Sequence, residues 1–238
     1  MRGHKALEKV FLKHEDDLAG GDGVEGLYGS LTTASMAGVF SDWPAFQSNS
    51  IMLDIGCGIG RPQAQALVQF NVSCSVGVEI DEVKCIKAVS FIQRVAKDMG
   101  MEQAATSVKI IHSNSSKLDT LEPCTHLYLC WQGWKDIDKV KMGTLVEKST
   151  SVFCVCTVQH KGAGFGSVKA LREAGWPELQ LIRSRNVYLV ESNEILQAHT
   201  YLVSGRNPSP AIRKEVGLLA VPAHKGAAAG RITRQRVM

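Results

Sequence analysis

Between Ser50 and Asp81 the chain reads strand, glycine loop, helix, strand, acid. An apolar run, Ile51 to Ile55, enters a loop with Gly56, Gly58 and Gly60. Pro62 opens a helix-length stretch, a place where proline has no needed N–H to lose. Ser75 to Val78 forms a second apolar run, and Glu79 closes it. This is the front half of a nucleotide-type βαβ unit. Its glycines let backbone close on a ligand, and its acid can accept hydrogen bonds from a ribose diol. A unit of this kind commits the chain to a parallel sheet with covering helices.

The loop is particular about its ligand. A dinucleotide fingerprint spaces its glycines G-x-G-x-x-G; here the spacing is G-x-G-x-G, and Arg61 stands where the third dinucleotide glycine would fall. Asp54 lies two residues before the first glycine. A pyrophosphate at a helix N-terminus is repelled by such a carboxylate, whereas a cationic amino-acid group is attracted. S-adenosylmethionine carries an ammonium and a sulfonium and no phosphate. Asp54, the glycine trio and Glu79 therefore favour that cofactor over a dinucleotide, and a dehydrogenase ranks below a methyltransferase.

The chain has 238 residues, enough for one well-buried domain with tails. Apolar residues make up 45% and charged residues 21%, a globular balance. No apolar run reaches the length of a membrane span, and the first residues lack the apolar stretch of a signal peptide. Seven cysteines without a C-x-x-C pair read as reduced, buried residues of an intracellular protein, with no metal site expected. The net charge of +4 is uneven: from Arg206 onward seven bases face one acid, Glu215. The expected organisation is an N-terminal helix and glycine joint over 1–23, a catalytic domain over 24–205, and a basic tail over 206–238.

Along the domain, βα steps alternate and then give way to two long strands, Leu179 to Val190 and Ile195 to Val203. They predict an α/β, doubly wound, mostly parallel sheet of seven strands with a C-terminal antiparallel hairpin. Ligands in such sheets lie beyond the carboxyl ends of the strands. Four exits then matter: the glycine loop, Glu79, Ser113 with Asn114, and the loop from Cys130 through Trp131 and Gln132 to Trp134. Ser113 and Asn114 either take the adenine amine or make an ordinary turn. Trp131 and Trp134 either line the acceptor entrance or pack in the core. Tyr28, among turn formers Gly26, Gly29 and Ser30, is placed to lid the cofactor.

These motifs resemble the class I S-adenosylmethionine methyltransferases. More narrowly they resemble the non-SET histone lysine methyltransferases, the disruptor-of-telomeric-silencing family. Leu27-Tyr28-Gly29 is similar to the family's Tyr-Gly-Glu segment, Leu53 to Gly60 to its Asp-Leu-Gly-Ser-Gly-Val-Gly loop, and Val76-Gly77-Val78-Glu79 to its Tyr-Gly-Val-Glu. The resemblance spans roughly 24–203 and is specific over 27–81. The sequence departs from the pattern at Ser30, Arg61, His112-Ser113-Asn114 and Cys130-Trp131-Gln132.

The resemblance implies a Rossmann-like fold and transfer of methyl groups to a histone lysine in the nucleus, with S-adenosylhomocysteine as co-product. It assigns cofactor contacts to Tyr28, Asp54, Gly56, Gly58, Gly60, Arg61, Glu79, Ser113, Asn114 and Cys130. Tyr28, Trp131, Gln132 and Trp134 become the acceptor-channel candidates. No acid–base dyad is evident in the sequence, and in-line transfer to a desolvated amine needs none. The basic tail fits non-specific contact with nucleosomal DNA. RNA, small-molecule and other protein acceptors stay open, as does an inactive chromatin scaffold. A DNA amino-methylating enzyme ranks lower, because its Asp/Asn-Pro-Pro-Tyr/Phe motif is absent at Cys130.

Overall fold

The computed structural model describes residues 4–15, 30–46, 48–70, 72–190, 194–206 and 231–234. Tyr28, the glycine joint and most of the basic tail lie outside the described residues. Two helices come first, α1 (His4–Glu15) and α2 (Thr33–Asp42). Thr32 caps α2 by accepting from the Ser35 N–H. The first βαβ unit is β1 (Ile51–Ile55), α3 (Arg61–Gln65) with a π-wound last turn, and β2 (Cys74–Glu79). α4 (Glu82–Asp98) begins at Asp81, whose carboxylate accepts from Val83 and Lys84, and ends before Gly100 at φ +64°. There follow β3 (Val108–His112), β4 (His126–Cys130), α5 (Asp136–Lys148), β5 (Cys154–His160), α6 (Val168–Glu173), β6 (Leu179–Tyr188), β7 (Ile195–Val203) and β8 (Arg231–Arg234).

The sheet order is β6-β7-β5-β4-β1-β2-β3-β8. The strands from β5 to β8 in that order run parallel; β7 is antiparallel to β5 and to β6. The expected seven strands and hairpin are present. Two details differ. An eighth strand, β8, comes from the segment read as tail and pairs with the outer edge of β3. The β3-to-β4 crossover carries a 3₁₀ turn at Ser115–Lys117 in place of an α-helix, because Asn114 caps that turn and α-helical apolar spacing is missing.

Alternation along the strands divides the core in two. Ile51, Leu53, Ile55, Leu127, Leu129 and Val155 pack with Met142, Leu145 and Val146 of α5 and Leu171 of α6. On the opposite face Met52, Tyr128, Cys154, Cys156 and Val158 meet α2, while Ile110 meets α1, α3 and α4. Strand order reverses between β1 and β4, so the switch-point crevice opens above those two strands. Among the described residues no helix is long and apolar enough to cross a membrane.

Candidate cofactor and acceptor site

A cleft of about 470 Å³ lies over the carboxyl ends of β1, β2, β4 and β5. Its floor is the glycine loop. Gly56, Gly58 and Gly60 take φ of +81°, +54° and +81°, the left-handed region that side-chain-bearing residues avoid. A Cβ built on Gly60 would stand 2.9 Å from Ile92 Cδ1, so the third glycine also lets α4 press against the loop.

Glu79 organises the loop. Its Oε2 accepts from the Gly58 N–H at 2.9 Å, and its Oε1 accepts from Ile80 at 2.9 Å and Asp81 at 3.0 Å. The side chain is buried. A carboxylate has about four lone-pair sites and three are taken, so capacity for one ribose hydroxyl remains.

Asp54 is buried beside it and accepts from Gln63 Nε2 at 3.0 Å. Burial pushes its carboxyl up to about 7; Gln63 opposes the rise and the neighbouring Glu79 charge adds to it. Its hydrogen-bond partner is neutral and its charged neighbour is like-charged. Among the described residues no cation is paired with this carboxylate, and it suits a ligand that brings one. The hollow above Gly56 is open: a Cβ there would meet only Trp134 Nε1, at 4.0 Å. An adenosyl cofactor with an ammonium end fits this donor and acceptor set.

The structure gathers most of the predicted site residues. Asp54, Gly56, Gly58, Arg61, Glu79, Cys130, Gln132 and Trp134 all line the cleft. Arg61 is already committed on its far side: it donates to Glu8 Oε1 at 3.0 Å and lies 4.9 Å from the Phe11 ring centroid, tying α1 to the loop. Burial works against ionisation of Glu8, but hydrogen bonds from Thr33 and the Arg61 charge outweigh it and hold the carboxyl below its usual range.

Three predicted residues lie elsewhere. Trp131 is a core residue: it is 1% exposed, donates to Gln159 Oε1 at 2.9 Å and packs edge-on against Trp176 at 5.6 Å. It follows Leu127 and Leu129 on the α5 face of the sheet, so alternation turns it away from the cleft. Asn114 caps the 115–117 turn by accepting from the Ser116 N–H. Ser113 donates its hydroxyl to the Asn114 carbonyl and its N–H to the Glu79 carbonyl. Neither belongs to the cleft wall. Tyr28 lies outside the described residues.

The cleft also holds residues that sequence reasoning passed over: Tyr128, Lys84, His160 and Glu194 among them. Tyr128 and Cys130 project from β4 on one face. Burial drives the Cys130 thiol up to about 12 and raises the Tyr128 phenol well above its ordinary value, so both stay protonated. His160 ends β5 and Glu194 precedes β7. The signal for them was positional: the carboxyl end of a strand, on the face that Cys156 and Val158 define.

A parallel sheet reversed at β1/β4, an antiparallel β7, a glycine loop after β1 and an acid ending β2 are the class I S-adenosylmethionine-dependent methyltransferase fold. Solved structures share it. A proposed RNA methyltransferase of Pyrococcus horikoshii superposes with TM-score 0.56 at 11% identity, over 85% of this chain and 98% of that one. A methyltransferase of Thiobacillus denitrificans in complex with S-adenosyl-L-homocysteine gives 0.54 at 10% identity, over 82% and 98%. A precorrin-6y C5,15-methyltransferase of Geobacter metallireducens gives 0.51 at 13% identity, over 76% and 93%. More narrowly, residues 21–119 match the model of the family described as "Histone methylation protein DOT1". That stretch contains the Tyr28 segment, the glycine loop and Glu79, the residues that carried the resemblance. No curated protein sequence matches the chain.

Proposed function

We propose that the chain is an S-adenosylmethionine-dependent methyltransferase whose acceptor is a lysine of a core histone in the nucleosome. The observation that carries the methyl-donor half is the clasp at the switch point: Glu79 bonded to the Gly58 amide, beside a buried Asp54 with a neutral partner. In this reading Asp54 holds the cofactor ammonium, the Gly56–Gly60 backbone closes on its amino-acid portion, and the remaining acceptor site of Glu79 takes a ribose hydroxyl. When bound, the cofactor would supply a methyl group carried on a sulfonium sulfur. The protein's part is to strip water from the acceptor amine and aim it. Trp134, Leu189 and Val190 provide an apolar flank for that desolvation. Orientation can contribute on the order of 7–11 kcal/mol to the lowered barrier.

The lysine and histone half rests on the family match over 21–119. A nuclear location follows from a chromatin substrate. The deciding experiment offers radiolabelled cofactor to nucleosomes, free histones, RNA and DNA. Label on histone, removed by Glu79→Ala, is the expected outcome. Label on RNA alone would move the chain toward the acceptor class named for the Pyrococcus protein. A chain that binds cofactor and labels nothing would be a scaffold.

The basic segment supports binding to a polyanion. From Arg213 to Arg236 it carries six bases and one acid. Deleting 207–238 should weaken nucleosome affinity, and raised salt should reproduce the loss. Unchanged affinity in a gel-shift titration would remove DNA from the segment's roles.

A further inference from the structure

The fold assembles an acid–base pair that the sequence does not reveal. His160 Nδ1 stands 2.9 Å from Glu194 Oε1, and His160 Nε2 stands 2.9 Å from Gln132 Nε2. All three line the same cleft as Asp54 and Glu79. They come from three elements: Gln132 from the β4 exit, His160 from the end of β5, Glu194 from the entry to β7. The chemistry fixes the tautomer. Glu194 can only accept when ionised, so Nδ1 carries the proton; Nε2 then presents a lone pair, into which the Gln132 amide donates. A carboxylate behind an imidazole whose free nitrogen faces a substrate cleft is the arrangement of an oriented general base. Both side chains are about half exposed, at the mouth and not beneath the cofactor hollow.

We propose that His160 takes the proton from the acceptor nucleophile, with Glu194 as its positioning residue and Gln132 as the amide that the acceptor displaces. This rests on the methyltransferase reading. For a lysine acceptor the protons and electrons balance as follows. His160 Nε2 removes one proton from the alkylammonium, leaving a neutral amine and an imidazolium. The amine lone pair forms the N–C bond; the C–S bond breaks and its electron pair stays on sulfur. The imidazolium, held by Glu194, returns its proton to solvent.

In water an imidazole is a weaker base than a lysine amine by about four pKa units. The transfer is therefore effective only for an acceptor desolvated against the apolar flank. Among the described residues, the charged groups around His160 are Glu194 in front, Lys161 beside it in the chain, and Lys84, Arg61, Asp54 and Glu79 lining the same cleft.

The test pairs His160→Gln with Glu194→Gln. A positioned general base is worth roughly a hundred- to ten-thousandfold. His160→Gln should lower single-turnover methyl transfer at pH 7 by a factor in that range. Raising the pH should restore rate as solvent deprotonates the amine. Glu194→Gln should show a smaller loss and a displaced pH profile. S-adenosylhomocysteine affinity by calorimetry should be unchanged in both, which separates this inference from the cofactor reading. Wild-type rate with an unaltered pH profile in His160→Gln would overturn the proposal. Nitrogen shifts of the neutral His160 ring provide an activity-independent check: they should report the Nδ1–H tautomer in the wild type, and an Nε2–H ring there would equally overturn it.

Discussion

At the scale of single residues, Asp54 decides how the cleft responds to pH. Its carboxyl is raised to about 7 chiefly by burial, while the ammonium we propose it binds is held only by the ionised form. Below that value one proton must leave before the cofactor can pair, and each unit of pH then costs a factor of about ten, or 1.36 kcal/mol. Calorimetric affinity for S-adenosylhomocysteine should rise about tenfold per unit up to pH 7 and then level. Asp54→Asn should bind weakly with a flat profile across the same range. A wild-type affinity that is level from pH 5.5 to 8.5 would show that Asp54 does not hold the ammonium.

At the scale of elements, the segment read as tail proves to begin inside the domain. Arg206 lies across the C-terminal end of α5. Its guanidinium donates to the carbonyls of Val146 at 2.8 Å, Ser149 at 2.7 Å, Val152 at 2.9 Å and Glu147 at 3.0 Å. These include last-turn carbonyls that a helix leaves without partners, and the cation sits at the negative end of the helix dipole. Arg206→Ala should cost about 2–3 kcal/mol in denaturant unfolding, because several part-buried carbonyls lose a charged donor together. Arg206→Lys should recover only part of that, having no planar fork. A loss below about 0.5 kcal/mol would mark the staple as a surface ornament.

The elements themselves were legible because their signals are local. Glycine spacing and apolar runs placed β1, β2, β6 and β7 to within a few residues. What could not be read was which way a side chain turns where a strand ends. Trp131 and Trp134 look equivalent in a loop. Continuing the alternation of Leu127 and Leu129 by one step sends Trp131 to the core and leaves Tyr128 and Cys130 for the cleft. The same step along β5 carries Gln159 toward Trp131 and His160 toward the cleft. The partnership of His160 with Glu194 depends on the antiparallel register of β5 and β7, in which His160 faces Leu196. That register joins residues far apart in sequence, so no spacing within one segment could disclose it.

At the scale of the whole molecule, two buried groups pull its acid stability in opposite directions. Asp54 keeps its proton up to about 7 in the folded protein, against 3.8 for the free group. The native state therefore binds more protons across that window, and this contribution grows as pH falls through it. His126 does the reverse. It is fully buried, stacked on Trp43 with ring centroids 5.4 Å apart, and its Nε2 donates to the Pro44 carbonyl at 3.0 Å. Burial lowers its pKa from 6.5 to about 4, with the Pro44 bond opposing. The unfolded chain takes up that proton first, so this contribution is lost as pH falls from 6.5 toward 4. The two windows overlap and the shifts are of similar size, on the order of 4 kcal/mol for Asp54 and 3 kcal/mol for His126 when complete. Between pH 6.5 and 4.5 these two contributions to the stability of the cofactor-free wild type should thus nearly cancel, leaving its urea midpoint to the remaining groups, His199 among them, whose pKa burial also lowers. Asp54→Asn removes the compensating half. It should be more stable than wild type at pH 7.5, where the native protein carries a buried carboxylate, and should then lose about 2–3 kcal/mol by pH 4.5 as the His126 contribution goes unopposed. Parallel stability curves for the two proteins would mean that Asp54 is ionised in the cofactor-free state throughout this range, and the pH dependence expected for cofactor binding would go with it.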